Sequence, residues 1–351
     1  MTIARTAAAI LLIAAPGWTS AQTPPPPPRT YLAPRAAGPP RIDGRLDDAC
    51  WQAAPWTEDF IDIEGAAKPR PTLRTRAKIA WDDSHLYIAA QLEEPHVWAT
   101  LAQHDSVIFR DNDFEVFIDP DGDNHNYFEF EINALNTGWD LFLNRPYQAG
   151  GKPDNSWEIP GLRTAVLVDG TLNNPTDTDR GWTVEMAFPW SAFERSPALR
   201  RPPLQGDRWR MNFSRVEWRV RIAGGKYEKA PGRAEDNWVW SPQGVINMHR
   251  PEMWGIVEFG GSKPGKQQVS GDPLWDVKMR LHAAYDAQRE FKRKNGRYAA
   301  NLEELGINVS GLQMQGRPAG YVLSLRPCTL DETALLQCAP AGPARQSRAR
   351  R

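Results

Sequence analysis

Cysteine is scarce: three in 351 residues are too few to build a small disulfide-stapled fold. Cys328 and Cys338 are the pair that an oxidising compartment would join into a small loop, while Cys50, among the apolar neighbours of "DDACWQAA", reads as a buried thiol. An excess of charge of either sign is also missing. Forty-two Lys and Arg against 43 Asp and Glu leave a formal net charge of −1, which gives nothing to draw nucleic acid or an anionic membrane surface. No GxSxG, P-loop or GxGxxG pattern occurs. The six histidines, 85, 96, 104, 125, 249 and 282, show no HxH or HxxxH zinc spacing. The sequence therefore holds no strong enzymatic constellation, and no cofactor is certain from it. Long helical patterns are lacking until the last quarter of the chain.

What is present begins with an export pattern. Arg5 supplies a positive start, residues 7–15 form an apolar stretch too short to cross a bilayer, and Thr19-Ser20-Ala21 places small residues at a cleavage point. Residues 1–21 read as a signal peptide, so the protein is expected to be periplasmic or secreted, with no membrane insertion. A proline run at 24–28 opens a linker, 22–40, of extended polyproline character.

From 41 to 260 the chain is a series of short alternating runs broken by Gly, Pro, Asn and Asp, the pattern of an all-β domain. "RTRAKIAW" and "HLYIAAQLEE" flank Asp82-Asp83-Ser84 as a hairpin. "GWTVEMAFP", "WRMNFSRVEWRVRI" and "WGIVEF" add further strands. Their spacing favours an antiparallel β-sandwich, immunoglobulin-like in layout, over a parallel sheet. A flexible connection, 261–273, leads to a small α-helical C-terminal extension, 274–310, whose narrow apolar stripe is expected to dock on the sandwich. The last stretch, 311–351, reads as irregular and ends in a basic tail. Fifteen tryptophans serve two purposes in such a protein, core packing and flat ligand platforms.

The most informative segment is "DNDFEVFIDPDGDNHNYFEFEIN", 111–133. Phe114, Val116 and Ile118 share one face of the first run, as Phe128, Phe130 and Ile132 do in the second. The opposite faces carry Glu115 and Asp119, then Glu129, Glu131 and Asn133, a row of polar acceptors suited either to sugar hydroxyls or to water. Glu129 and Glu131 sit about 6.5–7 Å apart along one strand and point the same way, so they cannot bracket a glycosidic bond as a catalytic pair must. Between the runs, Asp119, Asp121 and Asp123 alternate around a glycine. Two readings stand for them: ordinary Asp-Gly turn chemistry, or a structural calcium site, since oxygen ligands at that spacing suit the ion. Met248-His249 raises haem ligation, although neighbours on one strand cannot both be axial ligands to one iron.

Taken together, "RIDGRLDDACWQAA", "AKIAWDDSHLYIAAQLEE", "DNDFEVFIDPDGDNHNYFEFEIN", "GWTVEMAFPW", "MNFSRVEW" and "NMHRPEMWGIVEF" resemble, in order, the family 9 carbohydrate-binding modules and their DOMON-like relatives. The resemblance covers roughly 41–260. It implies a β-sandwich, a saccharide ligand, structural calcium, and association with glycan-degrading enzymes. The family's two clamping tryptophans fall at Phe109 and Met248, its sugar-contacting acid at Glu115, and an arginine of the next strand at Glu131. Trp139 and Trp254 are the candidates to replace a lost ring. The expected function is non-catalytic carbohydrate binding. The rivals are a haem-binding electron-transfer domain, a cell-envelope interaction domain without a small ligand, and a glycoside hydrolase.

Overall fold

The computed structural model describes residues 24–196, 200–261 and 269–339. The expected signal peptide and the basic tail lie outside the described residues. Strand β1 (Thr30–Ala33) precedes a short helix, α1 (Ala49–Ala53), and a two-residue strand, β2 (Ile61–Asp62). A hairpin of β3 (Thr75–Trp81) and β4 (His85–Glu93) follows, and then a meander of β5 (Asp113–Asp119), β6 (Tyr127–Asn133), β7 (Gly138–Leu143) and β8 (Pro153–Asp154). Next come β9 (Arg163–Asp169), β10 (Gly181–Pro189), β11 (Arg208–Glu217), the hairpin β12 (Val220–Ala223) and β13 (Lys226–Lys229), β14 (Asp236–Val239) and β15 (Gly255–Phe259).

These strands make a sandwich. One sheet runs β1-β15-β11-β5-β6-β7-β8, with β14 pairing β11 and β2; the other runs β3-β4-β10-β9. Period-two alternation decides what lies between them. Phe114, Val116, Ile118, Phe128, Phe130 and Ile132 turn inward from the larger sheet and meet Ile79, Ile88, Leu92, Trp182, Val184 and Phe188 of the smaller one. Burial of these side chains is the main driving force of the fold. On the far side of the smaller sheet, Glu185 straps down the segment before α1. Its carboxylate accepts from the backbone N–H groups of Asp43 (2.9 Å) and Gly44 (2.6 Å) and from Trp51 Nε1 (2.6 Å).

At one end of the sandwich Arg215 is fully buried and fully engaged. Its guanidinium donates to Glu94 Oε2 (2.9 Å), Glu217 Oε2 (2.8 Å), Thr75 Oγ1 (3.0 Å) and the Glu93 carbonyl (2.8 Å). This ties β11 to β3 and β4 across the core.

Three expectations are corrected. Residues 30–33 are not linker: β1 pairs in parallel with β15, Thr30 opposite Ile256 and Ala33 opposite Phe259. The last stretch is not irregular either. After α2 (Trp275–Asn295) the chain forms β16 (Gln313–Arg317), β17 (Gly320–Leu325), β18 (Cys328–Asp331) and β19 (Leu336–Cys338) as a second antiparallel sheet. The helix therefore has a core of its own, in which Leu281, Ala284 and Tyr285 pack on Tyr321, Leu323 and Leu330. Its first turns still reach the sandwich, where Trp275 and Met279 meet Met253. These strands escaped the sequence reading because each has only three to six residues, too short to display a period. Cys328 and Cys338 form a disulfide, and Cys50 is a buried free thiol.

Among the described residues no helix is long and apolar enough to cross a membrane.

Candidate functional site

The outer face of the larger sheet carries the acidic row. Strand register gathers it: Glu115 stands opposite Glu131 on one side and Ser214 on the other. Trp139 lies opposite Glu131, and Leu141 opposite Glu129. Asp113 joins them two residues before Glu115, and carboxylate oxygens of Asp113, Glu115 and Glu131 fall within 4.8 Å of one another. None of these acids has a cationic partner within salt-bridge distance among the described residues.

The acids form a covered floor. Glu131 is only 2% exposed, whereas the rings beside it are accessible, Phe109 at 38% and Tyr147 at 42%. Two loops fold over the strands to produce this. One carries Phe109, whose backbone N–H donates to Glu131 Oε2 at 2.8 Å and whose carbonyl accepts from Trp218 Nε1 at 2.8 Å. Its ring tilts at 32° against Trp139, with centroids 6.3 Å apart. The other loop carries Tyr147, close enough for the charges of Glu129 and Glu131, after burial, to push its hydroxyl pKa up.

Burial and mutual repulsion set the electrostatics. Burial, reinforced by Glu115, raises Asp113 and Glu129 well above the usual carboxylate range, and burial with Glu115, Asp113 and Glu129 does the same to Glu131. Burial lifts Glu115 to about 7. Near neutral pH the Glu115 carboxyl is thus both an O–H donor and an acceptor. Asp113 Oδ2, Glu129 Oε2 and Ser214 Oγ are buried and have no hydrogen-bond partner. Buried polar atoms are normally satisfied, so the unpaired oxygens mark this floor out from the rest of the sheet.

Other sequence candidates are placed elsewhere. Asn133 is committed to the fold. Its Nδ2 donates to the Leu101 carbonyl (2.8 Å) and Asp111 Oδ2 (3.1 Å), while its Oδ1 accepts from the N–H groups of Leu135 (3.0 Å) and Thr137 (3.1 Å). Trp254 is 0% exposed and packs among Phe117, Tyr127, Leu141 and Leu143. Its Nε1 donates to the Met248 carbonyl at 2.8 Å, and Met248 packs at the edge of that cluster. Neither Asn133 nor Trp254 presents a surface to a ligand. His249 is hydrogen-bonded through Nδ1 to Tyr127 OH (3.0 Å) and set edge-on to Tyr147, centroids 4.3 Å apart. Burial pushes its pKa down to about 3. An imidazole so enclosed by rings is not poised to ligate haem iron.

The acidic turn shows the hydrogen bonds of turn chemistry. Asp119 accepts from the N–H groups of Gly122 (3.0 Å) and Asn124 (2.9 Å), and Asp123 from that of His125 (2.7 Å). Oxygens of Asp119, Asp121 and Asp123 also lie within 4.8 Å of one another. Burial and the neighbouring acids raise Asp119 well above its ordinary value and Asp123 to about 6.

Sequence reasoning missed Asp113, Ser214 and Tyr147. Asp113 was legible, because a period of two puts it on the face of Glu115. Ser214 needed the strand order, and Tyr147 sits on a loop whose sequence carries no periodic signal.

Comparison with known proteins adds the family. Residues 42–202 match the model described as carbohydrate family 9 binding domain-like. A curated relative, the exoglucanase XynX of Acetivibrio thermocellus, is 24% identical over 155 residues, 44% of this chain and 12% of that protein. This chain thus spans a small part of that enzyme. Among solved structures, a family 9 carbohydrate-binding module from Caldicellulosiruptor kristjanssonii in complex with cellotriose aligns with 70% of this chain and all of its own, at 17% identity and a TM-score of 0.44. A putative carbohydrate-binding protein from Bacteroides uniformis aligns with 66% of this chain and 99% of its own, at 17% identity and a TM-score of 0.49. The chain contains a carbohydrate-binding module family 9-like domain.

Proposed function

We propose that this protein is a non-catalytic saccharide-binding protein whose ligand sits on the outer face of the larger sheet, against Phe109, Trp139 and Tyr147 and above Glu115, Glu129 and Glu131. The observation that supports it most is the pairing of accessible rings with unpartnered oxygens of Asp113 and Glu129 beside them. A sugar ring offers both complements, an apolar face to stack and hydroxyls to exchange hydrogen bonds. A Glu115 carboxyl near its midpoint at neutral pH suits hydroxyl groups, which donate and accept at once. Catalysis is not part of the proposal: Glu115 and Glu131 lie side by side on adjacent strands rather than on opposite sides of a substrate.

The protein would work outside the cytoplasm, in the periplasm or secreted, and in polysaccharide breakdown alongside glycan-degrading enzymes. The Cys328–Cys338 disulfide supports an oxidising compartment. Calcium at Asp119, Asp121 and Asp123 would brace the turn between β5 and β6 without chemistry of its own. A glycan array probed with the purified full chain, with and without chelator, tests the reading. Signal on a defined saccharide class carries it. A well-folded protein that binds no glycan overturns it in favour of an envelope interaction domain.

A further inference from the structure

Beside the rim ring Phe109, a second cluster is built around His104. Gly138 opens β7 and cannot be replaced without strain, since an added Cβ would lie 2.7 Å from the Phe130 ring. Its carbonyl accepts from the Asp105 N–H (3.1 Å) and contacts His104 Nδ1 (3.0 Å). That second contact fixes the imidazole: Nδ1 carries the proton and donates, and Nε2 is left as the acceptor nitrogen. Yet Nε2 faces only carboxylates, with Asp105 Oδ1 and Asp140 Oδ1 each at 3.4 Å and Glu158 Oε2 at 3.2 Å. Asp105 Oδ1 and Asp140 Oδ1 are buried with no hydrogen-bond partner, and Asp140 is 2% exposed.

An imidazolium proton on Nε2 would satisfy one of these oxygens, since an N–H points along a single line. A cation among them would satisfy all at once. Two donors bound about 2.0–2.1 Å from one ion at the tetrahedral angle stand about 3.3 Å apart; the three distances from Nε2 to carboxylate oxygens, 3.2–3.4 Å, have that size, and the donor atoms of His104, Asp105 and Asp140 lie within 4.8 Å of one another. The nitrogen selects the metal: calcium and magnesium take oxygen ligands, whereas imidazole with carboxylates suits zinc.

The geometry points to a divalent transition-metal site of the zinc class formed by His104, Asp105 and Asp140, with Glu158 as the adjustable fourth ligand. Bound metal pins the loop that carries Phe109 onto the strand that carries Trp139.

The test uses the full chain, freed of metal by chelator and titrated with Zn2+ by calorimetry, with Co2+ absorption as a second readout. The expected result is one equivalent of Zn2+, a rise in Tm, and tetrahedral-type Co2+ bands. In His104→Gln and in Asp140→Asn the affinity falls at least tenfold, while Asp121→Asn leaves the titration unchanged. His104 is half exposed, so its variant keeps the fold, and an unchanged circular dichroism spectrum verifies this. Equal Zn2+ affinity in the parent and His104→Gln, or no titratable Zn2+ in the parent, overturns the assignment and leaves an imidazolium–carboxylate cluster. No sugar is needed, so the outcome is independent of the saccharide reading.

Discussion

The backbone N–H of Phe109 donates to Glu131 Oε2 at 2.8 Å, so an acid on the floor of the site positions a ring on its rim. Glu131→Gln retains an acceptor and is expected to keep saccharide binding near the parent level. Glu131→Leu leaves the N–H unpaired, costing about 1–3 kcal/mol of loop order, and calorimetry should show saccharide affinity falling at least tenfold.

The rings should carry much of the affinity. Phe109→Ala and Trp139→Ala each remove an apolar platform, with an expected loss on the order of 1–2 kcal/mol, roughly five- to thirtyfold in Kd. Trp254→Phe is the contrast. It loses the hydrogen bond to the Met248 carbonyl and should lower Tm while leaving a smaller mark on binding. A larger loss of affinity at Trp254 than at Phe109 would place the ligand elsewhere.

The acidic floor makes stability depend on pH in an unusual direction. Glu115 moves from an ordinary 4.5 to about 7 on folding, so between those values the folded chain holds a proton that the unfolded chain has released. Its contribution is complete below the lower value and is lost as pH rises through the upper one, at most about 3 kcal/mol. His249, pushed down to about 3, acts oppositely, since acid below its unfolded value favours the unfolded chain. Comparison with Glu115→Gln isolates the carboxyl: its urea midpoint should vary less than the parent's between about pH 5 and pH 8. An identical pH profile for both would show that Glu115 titrates normally.

Arg215 should be irreplaceable. Removing its guanidinium strands Glu94 and Glu217 in the core, and Arg215→Met is expected to cost about 3–5 kcal/mol. Lysine cannot reproduce the four contacts. Chemical denaturation checks both variants, and a Met variant as stable as the parent would refute the network's role.

Calcium should raise Tm, chelator should reverse the rise, and Asp121→Asn should abolish it. Asp121 is the exposed member of the turn, so its change leaves the buried hydrogen bonds of Asp119 intact. Identical melting with calcium and with chelator would leave turn chemistry alone.

The sandwich was legible because its strands are long enough to display their period. The hairpin at Asp82-Asp83-Ser84 and the inward set from Phe114 to Ile132 follow from alternation alone. Alternation also put Glu115, Glu129 and Glu131 on one face, but it could not say that loops cover that face. Nor could it tell Asn133, whose hydrogen bonds are consumed locally, from its acidic neighbours. His104 and Asp140 come together from separate loops and strands, with no spacing in the chain to announce them. The strands of the C-terminal unit were too brief to register.

The hairpin tip between β5 and β6 has a mechanical consequence. The Asp123 carbonyl accepts from the Leu336 N–H (3.0 Å), Asn124 Nδ2 donates to the Ala334 carbonyl (3.1 Å), and His125 Nε2 meets the Thr333 carbonyl (2.8 Å). All three partners lie inside the loop closed by Cys328 and Cys338. A thiol reductant is therefore expected to reach beyond one small sheet, loosening the clasp by which the rear unit grips the front one.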